Sequence, residues 1–392
     1  MLRSPLVMAA LADAALPRLL PASVAPVPTR ITDRFQEALV EGEDGTQWIV
    51  RLSRNAAAGA AAELADTFVR LLAKRVEFGV PVAEGRMTIA DRNTVTVHRS
   101  FAGAPMQWRG LTGGSRQSVN VAKALAQLHD VDPRIADEAG VPSYDSDAYR
   151  TRRLATLDRA AATGLVPSGL LTRWERALEE VSLWRFPTCL THGPLEGHHV
   201  YGGDEVSGIG AWENACVADP ADDFAALWAA APAEAFDTIL ETYSAARHEA
   251  PDKHLERRVR LSSELLRVTA LLDAVGVDDD RMIDRRAAAL RRLNEQTVGD
   301  DSLMPQPPRA APVVGAQPAD EPGQLAADDA DDIDLAEPSE RDAAVEADER
   351  IHEEFDDVDD LDDTDAVEDS SSEAHLREDD TIEIDVSRRQ QD

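Results

Sequence analysis

The stretch Cys189-Leu-Thr-His-Gly-Pro-Leu-Glu-Gly-His-His-Val-Tyr201, continued through residues 205–224, decides the fold of this 392-residue chain. Leu190, Val200, Val206 and Ile209 are apolar residues bounded by Gly, Pro and Asp. That punctuation predicts short half-buried strands joined by tight loops, with a helix starting near Pro220. His192-Gly193 falls where the first strand stops. A polar loop fixed between strands is a suitable place for a functional site.

The spacing of this stretch resembles the catalytic core of the antibiotic kinases, the aminoglycoside phosphotransferases, and within them the macrolide phosphotransferase branch. That family carries His-Gly-Asp-Leu-x-x-x-(Asn or His)-Val, then Asp-Trp, then Asp-Pro-x-x-Asp-Leu/Met-Ala. Here the frame reads His192-Gly193-Pro194-Leu195-Glu196-Gly197-His198-His199-Val200, then Gly210-Ala211-Trp212-Glu213, then Asp219-Pro220-Ala221-Asp222-Asp223-Phe224-Ala225. It runs without a gap. The resemblance implies a bilobal, protein-kinase-like α+β fold: a small antiparallel-sheet lobe over residues 1–103, a larger mainly helical lobe over 104–300, and an acidic tail over 301–392.

The resemblance also implies a site, and the chemistry at two of its positions differs. The family's Asp after His-Gly accepts the proton of the substrate hydroxyl; this chain has Pro194, with no acceptor side chain and no backbone N–H. The family's Asp before Trp holds the magnesium that bridges the ATP phosphates; this chain has Ala211. His199 matches the macrolide branch, where His replaces the usual metal-binding Asn. Phosphoryl transfer rests on positioning and charge neutralisation. Loss of the base costs on the order of 10²–10⁴ in rate, and loss of a metal ligand removes further Lewis-acid assistance. A catalytically impaired, pseudokinase-like protein that binds ATP or GTP with magnesium weakly is the expectation. Glu196 and Glu213, each two residues past a vacated position, are the candidate substitutes that would make it an active kinase. His192, His198 and His199 lack a carboxylate or a spaced fourth ligand, so no metal site is assigned to them.

Upstream, residues 29–52 read as three strands, with 35–40 and 47–52 joined by a loop whose Asp44-Gly45 suits a hairpin. The resemblance places Arg51 near the α/β-phosphates; the alternative is a surface arginine at a strand end. The turn before Phe35 has no glycine, which removes the close backbone approach to phosphate that Gly-rich loops allow. Residues 55–75 read as a helix, with Leu64, Phe68, Leu71 and Leu72 on its apolar face. Glu63 on it is the candidate ion-pair partner of Arg51; an alignment two residues away puts Ala65 there, and a solvated helix-face Glu is the other reading. Residues 86–90 and 94–98 form a second hairpin, and 101–105 the hinge. The Ala/Leu-rich start, residues 1–24, reads as an amphipathic helix packed on the body. A signal peptide fits less well, because Asp13 and Pro17 interrupt the apolar run.

Downstream, helices are expected at 115–129, 147–162, 168–183, 221–231, 233–247, 253–275 and 279–296. His129 reads as a packed helix-end residue. Asp219 and Asp223 match family positions, with Asp219 suited to capping the helix that follows. Cys189 and Cys216 read as buried reduced thiols of a cytoplasmic protein.

Residues 301–392 hold 32 acidic and 6 basic residues, leaving 42 and 34 to the first 300. Low hydropathy with high charge predicts disorder for this tail, and its sign disfavours nucleic acid and anionic membranes. It could dock a basic protein partner. Thr381-Ile-Glu-Ile-Asp-Val386 alternates like a strand and could extend a partner's sheet edge. A small-molecule ligand in the cleft is the other partner the resemblance implies.

Overall fold

The computed structural model describes residues 2–29, 33–89 and 92–305, together with the backbone of residues 382–383. The small lobe is built on an antiparallel sheet of β1 (Pro21–Pro26), β2 (Phe35–Gly42), β3 (Gln47–Ser53), β4 (Gly85–Thr88) and β5 (Thr94–Arg99), in spatial order β1-β2-β3-β5-β4. The register aligns apolar residues across it: Val24 opposite Val40 opposite Trp48, and Ala38 opposite Val50 opposite Val97. These residues form one face, and helix α1 (Pro5–Ala15) covers it with Met8, Ala9 and Ala12. Ser4 caps α1 and Pro5 occupies its first turn, where a missing N–H costs nothing.

The amphipathic helix expected at the N-terminus is present but ends at Ala15, and residues 21–26 are strand rather than helix. The first sheet strand therefore lies upstream of residue 29, where the sequence had suggested it. Prolines at both ends of β1 disguise it; they are tolerated because each stands at a strand terminus, where a missing ladder N–H matters least.

Helix α2 (Ala56–Leu72), capped by Asn55, lies between the lobes. Phe68, Val69 and Leu72 are buried in the large-lobe core, whereas Leu64 is exposed on the opposite side. The hinge region leads into β6 (Ala104–Pro105), which pairs with β8 (Val200–Gly202), itself paired to β9 (Val206–Ile209). An ideal Cβ at Gly208 would fall 2.2 Å from the Phe101 ring, so the hinge aromatic can settle there only over glycine.

The large lobe follows as α3 (Arg116–His129), α4 (Ile135–Ala139), α5 (Ser146–Ala161), α6 (Ser168–Glu179), β7 (Cys189–Thr191), β8, β9 and β10 (Cys216–Ala218). Helices α7 (Ala221–Ala230), α8 (Ala233–Ala246), α9 (Leu255–Gly276) and α10 (Asp280–Gln296) complete it. Each long helix falls within a few residues of its expected span; α4 is the short addition. Strands β7 and β10 pair antiparallel, Cys189 opposite Ala218 and Cys216 opposite Thr191. The two thiols therefore do not face each other and both are free. Burial pushes the Cys189 thiol well above its ordinary pKa and the Cys216 thiol up to about 11, which leaves both unreactive.

Three buried acids at the start of α7 are each paired. Asp219 accepts from the Ala221 amide (3.0 Å) and from Arg258 Nε on α9 (2.8 Å). Asp222 accepts from Arg153, Tyr149 and Ser262. Asp223 turns towards the loop after β7 and is described with the site. Arg258 is almost fully buried, also bonds Asp252, and lies 3.8 Å over the Phe186 ring.

Residues 300–305 pack on the large lobe, with Leu303 buried, Arg173 bonded to Asp300 and Arg176 to Asp301. The disorder expected beyond that point concerns residues outside those described. The exception is β11 (Ile382–Glu383), which lies antiparallel on β1 of this chain's own sheet.

Removing the cation while leaving its acids buried is the costly direction for an internal ion pair. Arg258→Ala should therefore lower unfolding stability by on the order of 3–5 kcal/mol, read as a reduced urea midpoint at unchanged slope.

Candidate functional site

The site is the loop between β7 and β8, facing the turn after β9. Its backbone is held by Asp223. One carboxylate oxygen accepts from the His192 amide (2.9 Å) and the other from the Gly193 amide (2.8 Å). His129 Nε2, at 3.0 Å, supplies a third donor. With that N–H given to the carboxylate, His129 Nδ1 accepts from the Tyr243 hydroxyl (2.8 Å), whose oxygen accepts in turn from Arg247 (2.6 Å). His129 is thus a buried helix-end residue with a structural task. Gly193 takes φ 93°, and an ideal Cβ there would lie 3.1 Å from Asn214 Cβ. Glycine meets both demands at once.

The His192 ring lies edge-on to Trp212, centroids 4.8 Å apart, and its Nε2 donates to the Gly210 carbonyl at 2.7 Å. This ties the loop to the next turn, where Ala211 sits at φ 60°, ψ 50°. The left-handed region is unfavourable for a residue with a Cβ, and Asp or Asn tolerates it better than Ala. The turn therefore keeps a conformation suited to the family's acid while carrying a methyl group.

Arg51 on β3 reaches across to this turn. Its Nη1 bonds Glu213, its Nε bonds Glu37 at 2.6 Å, and its guanidinium lies 4.3 Å over the Phe35 ring. Burial opposes the Arg51 charge, but the two carboxylates beside it outweigh that and raise its pKa. Burial likewise opposes the Glu213 charge, and Arg51 by charge and hydrogen bond holds the carboxyl below its usual range. His98, close by and buried, is pushed down to about 4 by desolvation and so adds no second cation. The space beside the pair is a cavity of about 20 Å³, bordered by Ala65, Asp66, His98 and Trp212, room for roughly one water.

Glu63 does not join this group. It is exposed on α2, and Arg51 is paired by Glu37 and Glu213 instead. The helix turn facing the cleft carries Ala65 and Asp66, and Asp66 is paired to Arg86 and Arg70. Glu196 is exposed at the loop surface, 3.2 Å from His198 Nδ1. His199 receives the Glu196 amide on Nδ1 at 3.3 Å, closing a short capping turn. Pro194 is half-buried, followed by the buried Leu195, whose carbonyl accepts from Trp108 Nε1 at 3.0 Å.

Magnesium does not fit this donor set. The two positions that would present carboxylates are Pro194 and Ala211, His199 is engaged by its own loop, and Glu213 is spent on Arg51. Among the described residues no group of three or more His, Cys, Asp or Glu could hold a metal ion.

Sequence reading missed Glu37, although the hairpin register that opposes Glu37 to Arg51 follows from the Asp-Gly turn. It also missed the Arg34–Asn214 contact (3.3 Å) that joins the start of β2 to the loop after Trp212; nothing local signals it.

Two outcomes follow from the turn and the pair. Ala211→Gly should raise unfolding stability by about 1 kcal/mol, since relief of left-handed strain exceeds the added unfolded-state entropy. Glu213→Gln should destabilise at neutral pH. A folded pKa below the usual glutamate range contributes stability that is complete above that range and lost as pH falls through the folded value. Urea titrations of both proteins should therefore converge as pH drops below about 4.

The family model described as the phosphotransferase enzyme family, APH, matches residues 34–261. The macrolide 2'-phosphotransferase MphH from Brachybacterium faecium superposes with a TM-score of 0.60 at 23% identity, over 73% of this chain and 98% of that one. An aminoglycoside 2'-phosphotransferase-IIIa superposes with a TM-score of 0.64 at 18% identity, over 75% of this chain and 100% of that one. These likenesses are of fold. Residues of this chain are also 28% identical over 106 positions to the uncharacterized protein YcbJ of Bacillus subtilis (strain 168), an alignment that spans 26% of this chain and 35% of YcbJ. With the model spanning more than half of its length, the chain belongs to the phosphotransferase enzyme family.

Proposed function

We propose that this phosphotransferase-family protein is catalytically disarmed and acts by holding a ligand or a protein partner in the kinase-like cleft. The observation that carries this reading is the Arg51 cluster. The strand-three base that would meet nucleotide phosphates is neutralised by two acids of the same chain. A phosphate arriving there must displace Glu213 and leave its carboxylate buried and unpaired, which is costly. Pro194 and Ala211 support the same conclusion from the acid side, since neither can accept a proton or bind a metal. Glu213 cannot serve as a relocated base while it neutralises Arg51. Glu196 is the remaining candidate for an active kinase, and its exposure leaves it in water rather than in a cleft.

The test is phosphate transfer from ATP or GTP, with magnesium, to macrolides and aminoglycosides, the substrates that the similar structures' names suggest. Transfer should stay at background. Turnover above background that vanishes on Glu196→Ala or Glu213→Ala would sink the proposal. In a parallel thermal titration, the native chain should show no magnesium-dependent nucleotide shift. A Pro194→Asp, Ala211→Asp, Glu213→Gln variant should gain one; saturation at a hundredfold over the dissociation constant corresponds to about 2.7 kcal/mol.

A further inference from the structure

The strand β1 is the outer strand of the small-lobe sheet, and the backbone of Ile382–Glu383 lies against it antiparallel, with Ile382 opposite Val24 and Glu383 opposite Ser23. Without that strand, the edge presents a row of unpaired amides and carbonyls, a template for any extended chain. The edge is short by construction. Pro21 begins β1 and Pro26 ends it, and proline offers no N–H to a ladder. Between them lie residues 22–25, a window that accepts a short strand and refuses a long one.

The segment that meets this window has the matching pattern. Thr381-Ile-Glu-Ile-Asp-Val386 alternates β-branched apolar residues with acids, the pattern of a strand with one apolar side. The register sets its phase. Ile382 stands opposite Val24, which is fully buried in the small-lobe core, and Glu383 stands opposite Ser23, which is half-buried. The 76 residues of 306–381 span up to about 250 Å when extended, so reach imposes no restriction.

We infer that residues 381–386 are a docking strand for this chain's own small lobe, captured in cis on the β1 edge between Pro21 and Pro26. The captured strand extends the sheet to six and fastens the far end of the acidic segment to the small lobe. It also bears on the cleft. The strand β1 pairs with β2, and Arg34, the residue before β2, bonds Asn214 in the loop after Trp212. Pairing along β1 therefore lies one strand away from that contact. A two-residue ladder on a long tether is reversible, so the edge can be vacated and offered to another strand.

Hydrogen exchange on the full-length chain reads the edge directly. The Ile382→Pro/Ile384→Pro variant removes donors and strand propensity outside the folded body, and Ala366→Pro in the same acidic segment is the control. The Val24 amide, which faces away from β2, should exchange roughly tenfold faster in the double variant and unchanged in the control, while Ser23 and Ala25, which face β2, stay protected in all three. Equal Val24 protection in all three proteins would overturn the inference. Protection should also survive dilution over roughly fifty-fold, as an intramolecular contact must. If protection instead falls on dilution together with loss of a dimer mass, the occupant is a second copy and the cis assignment fails.

Discussion

The carboxylate of Asp223, buried and aimed at two consecutive amides, is the constraint on which the site's shape rests. Its oxygens accept from His192 and Gly193 while His129 closes the third side. A buried carboxylate is tolerated only with such a set of donors. None of those contacts involves a reacting group. The loop can therefore lose the residues that would move a proton or bind a metal and still be held in place. Its neighbours divide the load: Asp219 is satisfied by Arg258, and Asp222 by Arg153, Tyr149 and Ser262. Three acids within five residues would otherwise repel one another in a low-dielectric setting. Distinct partners from three other helices, α3, α5 and α9, turn that repulsion into cross-links between α7 and the rest of the large lobe.

A buried cation at the junction of the lobes has to be neutralised. Arg51 belongs to the small lobe and is nearly buried, so an unpaired guanidinium there would be unfavourable. The pair with Glu213 resolves this and crosses between the lobes, since Glu213 lies in the turn after β9. The two lobes are thus joined through a charge contact between β3 and the turn after β9. The turn retains the left-handed Ala211 because Trp212 and His192 fix its two sides: the indole donates to the Ile209 carbonyl and the imidazole to that of Gly210. Strain of this sort persists where the surroundings over-determine the backbone.

Local chemistry made most of the architecture legible in the sequence. Asn55, Ser115, Asp145 and Asp279 cap helices where the apolar periodicity begins, and the gapless motif frame located β7 to α7. What escaped was long-range or masked by composition. β1 is bracketed by prolines, which read as loop until the strand is seen to be an edge. Arg258 meets Asp219 from 39 residues away, and no periodicity announces that contact. Glu63 was drawn into the site by a family role, yet the helical phase that buries Ala62, Ala65 and Val69 leaves it on the outer face. Arg173 and Arg176 hold Asp300 and Asp301 to the body. Charge composition averages over such a boundary and cannot place it.

Pro194 shows how the loop is organised once its chemistry is set aside. The residues on either side already have their polar groups placed: the Gly193 amide is given to Asp223 and the Leu195 carbonyl to Trp108. The intervening Pro194 has no N–H of its own to place. A ring that fixes φ lowers the entropy of the unfolded chain without disturbing the folded one. An aspartate at the same place would need solvent or a bound hydroxyl to satisfy its carboxylate. Pro194, the His199 capping turn and the Glu213–Arg51 pair all act in one direction. The capping turn and the ion pair each satisfy polar groups within the protein, so the loop's shape is set by its own contacts.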